Sequence, residues 1–204
     1  MNASRWMSFL RPDAWTVHTD WLRQFTAGNS HLLAQVMNSR TARLLLSRRL
    51  YKFHEISVPE RVKLQANQQW LLEEHESQRA LARRLGRDAL HDWIRRTVRA
   101  NAVVMLRGEL GAEGYRRALA GPGLSVEGLD RFAFEAALQN GQIGEYFVSV
   151  GAALLETTID GGDPFCGLRM RFAFSPGAWE CRPRGIRVNA DELARRIAEP
   201  SRGE

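Results

Sequence analysis

Residues 90 to 105, LHDWIRRTVRANAVVM, form the stretch that decides the expected fold. Its apolar and small residues recur at the i, i+3, i+4 and i+7 spacing of an amphipathic helix. The residues on this face are Leu90, Trp93, Ile94, Thr97, Val98, Asn101, Val104 and Met105. The charged residues of the opposite face are Asp92, Arg95, Arg96 and Arg99. The stretch therefore predicts one continuous helix with an arginine-rich side in solvent.

The N-terminal part of the chain predicts further helices, separated by short breaks. Asp20 is expected to cap a short helix that ends at Phe25. Gly28-Asn29-Ser30 then supplies a break and a new cap. The residues from His31 to Phe53 predict one helix, or two helices joined near Asn38-Ser39.

The segment just before the quoted stretch is also expected to be helical. Ser57-Val58-Pro59-Glu60 is typical of a helix start, with a capping serine and a proline at the first helical position. The helix is expected to continue to Leu85, where Gly86 would end it as a left-handed cap.

The chain after the quoted stretch predicts helices punctuated by glycines. A short helix through Tyr115 and Leu119 is expected to stop at Gly121-Pro122-Gly123. Two later helices, near residues 129 to 136 and 143 to 154, are interrupted at Gly141. Finally, Asn189-Ala190-Asp191-Glu192 is typical of the start of a short helix through Ile197.

A change of period predicts a small sheet near the C-terminus. Leu168, Met170, Phe172 and Phe174 alternate with other residue types, as in a half-buried strand. A turn at Ser175-Pro176-Gly177 and the alternation around Trp179 and Cys181 complete a hairpin. We therefore predict a mainly α fold: a compact multi-helix domain over residues 1–199 with a C-terminal β-hairpin at about 165–188. Residues 200–204 are expected to form a disordered tail.

Composition and charge limit the classes of function. The 204 residues are 44% hydrophobic and 25% charged, as in an ordinary globular protein. The net charge of +6 favours nucleic acid, an anionic membrane surface or an acidic protein as partner, although carboxylates interrupt the basic stretches. With no long apolar run and no apolar signal core, we expect a soluble cytoplasmic protein without a membrane span.

No catalytic, cofactor or metal site is predicted. The five histidines show no metal-ligand spacing, and no nucleophile elbow, P-loop or dinucleotide fingerprint occurs. The loop Asp160-Gly161-Gly162-Asp163-Pro164 lacks the ligand pattern of a calcium site and is interpreted as a turn. Cys166 and Cys181 are interpreted as small buried hydrophobic residues, since only two metal ligands of this type are available.

Two surfaces are candidates for partner binding. Arg95, Arg96 and Arg99 could contact a partner, or could form a solvated face with local ion pairs. They also support the alternative function, a basic nucleic-acid-binding module. The second candidate comprises Trp15, His18 and Trp21, of which the tryptophans could instead cover an edge of the core.

The order of several short motifs resembles one protein family. Its N-terminal pattern is matched by Phe9-Leu10-Arg11-Pro12-Asp13-Ala14-Trp15, His18 and Trp21-Leu22. Its central pattern is matched by Arg84-Leu85-Gly86 and, after seven residues, Ile94-Arg95-Arg96. With these motifs the chain is similar to the SctK (YscK) family of the bacterial type III secretion sorting platform.

The C-terminal third carries the rest of the resemblance. Gly151-Ala152-Ala153-Leu154 and the segment Cys166-Gly167-Leu168-Arg169-Met170-Arg171-Phe172 are similar to the family's glycine-containing helix and the strand after it. The similarity extends over most of residues 8 to 176. The stretch from Arg40 to Glu76 and the tail after Pro176 match no part of the family pattern.

The resemblance implies a non-catalytic adaptor without cofactors or a small-molecule substrate. Its expected partners are the pod protein of the SctQ type and the cytoplasmic domain of the inner-membrane ring protein of the SctD type. The expected location is the cytoplasm, peripheral to the inner membrane through the secretion apparatus.

Overall fold

The structure is a computed structural model that describes residues 17–53, 63–159 and 164–199. The helices are α1 Thr19–Phe25, α2 Ser30–Asn38, α3 Arg40–Phe53, a 3₁₀ helix Ala66–Leu72, α4 His75–Ala89, α5 His91–Arg96, α6 Ala100–Ala120, α7 Arg131–Gln139, α8 Ile143–Glu156, α9 Pro164–Ala173, α10 Pro176–Glu180 and α11 Ala190–Ala198. The strands are β1 Val126–Glu127 and β2 Arg187–Val188. The predicted fold class, mainly α with a minor antiparallel β element, is confirmed.

The chain divides into two compact units. The first comprises Met1–Gln78 and Ile159–Gly177, and the second comprises Arg79–Thr158 and Ala178–Glu204. The single domain predicted over residues 1–199 stays a prediction. The predicted tail at 200–204 lies outside the described residues.

The first unit begins with a series of short helices. His18 caps α1 in place of the expected Asp20, because its imidazole accepts a hydrogen bond from the Asp20 backbone N–H at 3.3 Å. Asn29 caps α2 as the sequence predicts. A break at Ser39 separates α2 from α3, which confirms the two-helix alternative.

The segment before α4 differs from its prediction. The expected start at Ser57-Val58-Pro59-Glu60 lies outside the described residues. Instead of one helix extending to Leu85, the chain forms the 3₁₀ helix and then α4. The Gln78 side chain lies near this junction, and it donates a hydrogen bond to the backbone carbonyl of Glu73 at 2.8 Å.

The predicted position of the β-hairpin is wrong. The segment with the alternating pattern forms α9, and α10 replaces the second expected strand. The alternation misleads because Arg169 is itself buried, so α9 buries most of its circumference and carries no simple polar face. The observed β pair joins two distant segments of the second unit, with Val126 opposite Val188 and Glu127 opposite Arg187.

The second unit is organised around α8, which is buried on nearly every side. The prediction that Gly86 caps the helix is wrong. Gly86 is a buried residue inside α4. A carbon added at Gly86 would lie 2.8 Å from the carbonyl carbon of Phe147, and one at Gly151 would lie 2.7 Å from the Cα atom of Ala82. The backbones of α4 and α8 therefore touch at a pair of glycines.

Several glycine and cap predictions for the second unit are confirmed. Gly111 adopts a positive φ of 68° and kinks α6, so the second half of α6 matches the predicted short helix that stops at Gly121. Gly141, also at φ 68°, separates α7 from α8. Asn189 caps α11 through a hydrogen bond that it accepts from the Glu192 backbone N–H at 3.0 Å.

The prediction for residues 90 to 105 is wrong in one important respect. The chain leaves the helix after Arg96, and Thr97 and Arg99 have extended backbone before α6 begins. The Thr97 hydroxyl donates a hydrogen bond to the Trp93 carbonyl at 2.7 Å, at the end of α5. The predicted apolar face is therefore split, and the part after the break does not face the core.

Candidate functional site

The arginines of α4 that belong to the second unit form contacts with other residues of that unit. Arg83 forms an ion pair with Glu109 of α6. Arg84 donates a hydrogen bond to the backbone carbonyl of Arg196 at 2.8 Å. These contacts fix α4 against its neighbours, so neither side chain is free to serve as a docking group.

Arg87 and Asp88 form the last pair on this helix, with 3.5 Å between the guanidinium Nε and the carboxylate. Burial raises the pKa of Asp88, and the guanidinium groups of Arg87, Arg196 and Arg84 oppose that shift. The Asp88 backbone carbonyl also accepts a hydrogen bond from the Leu124 N–H at 2.8 Å. This pair is part of the packing of the second unit.

Arg95, Arg96 and Arg99 differ from the arginines of α4. All three are exposed, and among the described residues none of their side chains forms a hydrogen bond or an ion pair. Helical spacing would allow Asp92 to reach Arg95 or Arg96. Its carboxylate instead lies 3.4 Å from the Nδ1 atom of His91. The alternative of local ion pairs is therefore not realised for these three residues.

Large apolar side chains lie exposed in the same part of the chain. Val98 is 86% exposed, Val104 67% and Phe132 83%. Val98 and Val104 belong to the face that the sequence predicts to be buried, and Phe132 belongs to the predicted amphipathic helix of α7. A valine or phenylalanine exposed to this extent leaves most of its apolar surface in water.

A groove of about 810 Å³ lies in the same part of the second unit, and Val98 lines it. It is bounded by the end of α5, the 97–99 connection, the start of α6 and one side of α7. Its apolar lining residues are Trp93, Val98, Met105, Phe134 and Leu138. Arg96, Arg99 and Arg131 contribute cationic groups to its lining.

Aromatic packing supports the apolar floor of the groove. The ring of Trp93 lies 5.6 Å from that of Phe134, which in turn lies 6.4 Å from the ring of Tyr146. The Tyr146 hydroxyl donates a hydrogen bond to the Asp130 carbonyl at 3.2 Å. Burial raises the pKa of Tyr146 to about 12, with a smaller contribution from the Asp130 charge, so this donor stays protonated. These ring contacts and the hydrogen bond hold the aromatic side chains of the floor in place.

The N-terminal candidates are located in the first unit. Trp21 is only 4% exposed, and its indole N–H donates a hydrogen bond to the Phe174 carbonyl at 2.8 Å. His18 is half-buried, and its backbone N–H donates to the Phe172 carbonyl at 2.6 Å. Trp15 lies outside the described residues. The position of Trp21 favours the interpretation that it belongs to the core.

A second histidine of the first unit lies near His18. His75 begins α4, and burial lowers its pKa to about 4, with further lowering by the charges of Arg169 and His18. The imidazole is therefore neutral in the folded protein at neutral pH. In the unfolded chain it titrates with its ordinary pKa of 6.5.

This difference predicts a loss of stability in mild acid. Above pH 6.5 both states hold a neutral imidazole, whereas between 6.5 and about 4 only the unfolded state gains a proton. We expect His75 to account for a loss of about 3 kcal/mol in the free energy of unfolding between about pH 7 and pH 4. Urea unfolding across this range should show a shallower pH dependence in His75→Gln. His31→Gln, at an exposed histidine of α2, should keep the wild-type dependence.

The cysteines occupy different environments. Cys166 is buried, as predicted, but Cys181 is exposed, because it lies in the turn after α10 and not in a strand. Neither cysteine forms a disulfide bond. Within the described ranges, no group of three or more His, Cys, Asp or Glu residues is arranged to hold a metal ion. The loop at residues 160–163 lies outside those ranges.

The sequence identifies Arg95, Arg96 and Arg99 but not the apolar residues beside them. Val98 and Val104 fit a helical stripe so well that periodicity alone assigns them to the core. Two β-branched residues in succession, Thr97 and Val98, are the local signal against a continuous helix, and it is weak.

In the described part of the chain, no helix combines the length and apolar character needed to cross a bilayer. Compared with protein-family models, curated proteins and solved structures, the chain matches none of them.

Proposed function

We propose that this chain is a non-catalytic protein–protein adaptor of the SctK type, acting in the cytoplasmic sorting platform of a type III secretion system. One observation carries the adaptor function. Three exposed arginines without partners among the described residues lie in the same segment as Val98, which is 86% exposed. A surface that combines exposed apolar side chains with arginine is typical of a protein interface.

The exposed apolar residues favour an adaptor on energetic grounds. Fully burying a valine or phenylalanine side chain contributes about 1.5 to 3 kcal/mol each. Val98, Val104 and Phe132 do not gain this contribution within the part of the chain that the structure describes. A partner that covers them would supply it, and that gain is the driving force expected for docking.

The assignment to the secretion platform is supported by the resemblance and by the roles of its motif residues. Gly86, from the Arg-Leu-Gly step, and Gly151, from the C-terminal motif, meet at the same helix crossing. Ile94 is fully buried while Arg95 and Arg96 are exposed. The motif residues of the second unit are thus packing residues or exposed cations, which is what a shared fold with a shared surface would require.

The proposed partners follow from the family. The chain would link the cytoplasmic domain of an SctD-type ring protein to an SctQ-type pod protein, at the cytoplasmic face of the inner membrane. A pull-down with each purified partner is the direct test, and we expect both to be retained. Retention of neither partner would overturn the proposal.

Charge reversal tests whether the three arginines take part. The triple variant Arg95→Glu, Arg96→Glu and Arg99→Glu is expected to lose one of the two partners while its circular dichroism stays that of the wild type. A matched control reverses three other exposed arginines of the second unit, namely Arg184, Arg187 and Arg195. The control changes the net charge equally, so loss of binding in both variants would point to general charge attraction.

The same arginines favour a second candidate, a nucleic-acid-binding module. Phosphate contacts would use Arg95, Arg96 and Arg99, and binding would weaken steeply with salt because counterions are released. The exposed valines argue against this candidate, since contacts with phosphate do not require buried aliphatic surface. A gel shift with duplex and single-stranded DNA at low salt decides between them: the adaptor predicts no shift.

A further inference from the structure

We propose that the groove between α5, α6 and α7 is the seat of an amphipathic helix from a partner protein, with acidic residues along the flanks of its apolar stripe. The inference rests on the proposed adaptor function and adds to it the site and the chemistry of the docked segment. The inference does not depend on which partner protein supplies the helix.

The shape and lining of the groove favour a helix. Its walls are helices on two sides, and its floor is formed by apolar groups such as Trp93, Phe134 and Leu138. Helix-in-groove recognition places apolar anchors at i, i+3, i+4 and i+7 into such a floor. A volume of about 810 Å³ accepts several such side chains. The exposed Val98 extends the apolar contact to the edge of the groove.

The charges around the groove favour acidic flanks. Arg96 and Arg99 line it, and Arg95 lies beside them on the same short segment. Arg131 also lines it but is 3.0 Å from Glu135, so the uncompensated charges are those of the other three. Complementary carboxylates on the partner would both steer the encounter and fix the register of the helix.

The start of α6 adds a further positive contribution. Ala100, Asn101 and Ala102, the first residues of α6, line the groove. Among the residues that the structure describes, no side chain caps this N-terminus, and its first turn holds no acidic residue. The first backbone N–H groups of a helix lack partners within the helix and carry partial positive charge. A carboxylate of the docked helix would accept hydrogen bonds from these N–H groups and would interact favourably with their partial positive charge.

Exposed aliphatic groups make protein the favoured occupant over nucleic acid. A single strand would stack its bases on aromatic rings. Among the apolar residues that line the groove, the exposed ones, Val98 and Met105, are aliphatic, whereas Phe134 is buried and Trp93 is half-buried. Aliphatic surface next to arginine matches leucines and glutamates on one helix.

Synthetic peptides provide the probe. A labelled peptide of about five helical turns carries leucines at i, i+3, i+4 and i+7 and glutamates on both flanks. A scrambled peptide has the same composition and charge without the amphipathic period, and a third peptide has lysine in place of glutamate. Fluorescence anisotropy with the full chain is expected to show binding of the first peptide at least about tenfold tighter than of either control. Equal binding of the first two would overturn the proposal.

Variants locate the binding site. Val98→Asp with Met105→Asp, at two exposed residues that line the groove, is expected to weaken peptide binding by about tenfold or more. Ala112→Asp with Ala120→Asp, at exposed positions in the second half of α6, carries the same charge change and should bind as the wild type does. The charge-reversal triple at Arg95, Arg96 and Arg99 should also lose the peptide. Unchanged binding by the Val98 and Met105 variant would overturn the proposed site.

The two proposals can fail separately. If the SctD-type and SctQ-type proteins bind but neither is affected by the Val98 and Met105 substitutions, and the acidic peptide does not bind, the groove inference is wrong and the adaptor function stands. If the acidic peptide binds in the groove while both partners fail to bind, the groove inference stands and the secretion assignment is wrong. Binding of a single-stranded DNA oligomer in place of the peptide would overturn the groove inference.

Discussion

Gly151→Ala is expected to destabilise the second unit by at least about 2 kcal/mol, because overpacking a close backbone contact costs about 1 to 3 kcal/mol or more. An added methyl group would collide with the carbonyl of Ala82 and lie 2.7 Å from the Cα atom of that residue. The obstacle is helix backbone, which cannot rotate away as a side chain could. The two helices would have to separate, and α8, buried on nearly every side, would lose packing with them.

Gly108→Ala is the matched control for this prediction. Gly108 lies in α6, is exposed, and would have no atom within 4 Å of an added carbon. Alanine is favoured over glycine in a helix by about 1 kcal/mol, so the control is expected to gain a little stability. Urea unfolding followed by circular dichroism should therefore show shifts of opposite sign. A stabilised Gly151→Ala variant would contradict the close approach of α4 and α8.

Gly86 shows why this contact is difficult to predict from sequence. A Leu-Gly step after a long helical pattern is typical of a helix end, and local rules favour a left-handed cap there. The structure instead keeps Gly86 helical and buried, with the Phe147 carbonyl carbon 2.8 Å from the position of an added carbon. The reason lies in α8, more than fifty residues away along the chain, and no local pattern encodes it. Breaks at Gly121 and Gly141 are predicted correctly because their reason is local.

The same difference between local and long-range causes explains which residues of the candidate site can be predicted from the sequence. Arg95, Arg96 and Arg99 are identified from sequence because charge on a helix face is visible without a fold. Val98 and Val104 are assigned to the core because a helical stripe normally indicates burial. The break between α5 and α6, where Thr97 and Arg99 have extended backbone, overrides the periodicity and leaves both valines in solvent. Local rules that fail in this way often mark functional sites, where stability of the isolated chain is not the only requirement.

Trp21→Ala is expected to have the largest effect in the first unit, a loss of about 3 to 5 kcal/mol, as for other buried aromatic truncations. The indole ring packs edge-on against Phe172, with 5.7 Å between ring centres. The Arg171 guanidinium lies over the ring at 4.8 Å, and the indole N–H donates to the Phe174 carbonyl at 2.8 Å. Truncation would remove all three contacts and leave a cavity. Phe132→Ala, at an aromatic ring that is 83% exposed, should change the free energy of unfolding by less than about 0.5 kcal/mol.

Trp21→Phe separates the structural role of this residue from a docking role. Phenylalanine keeps most of the apolar packing but loses the N–H donor, so a smaller destabilisation of about 1 to 2 kcal/mol is expected. If Trp21 serves only the core, the folded variant should retain an SctD-type or SctQ-type partner as well as the wild type does, because a side chain that is 4% exposed offers almost no surface for a partner. Loss of a partner by a variant that is still folded would instead assign Trp21 to the docking surface. With Trp21 in the core, the arginines at 95, 96 and 99 and the apolar groups around them remain the candidate surface.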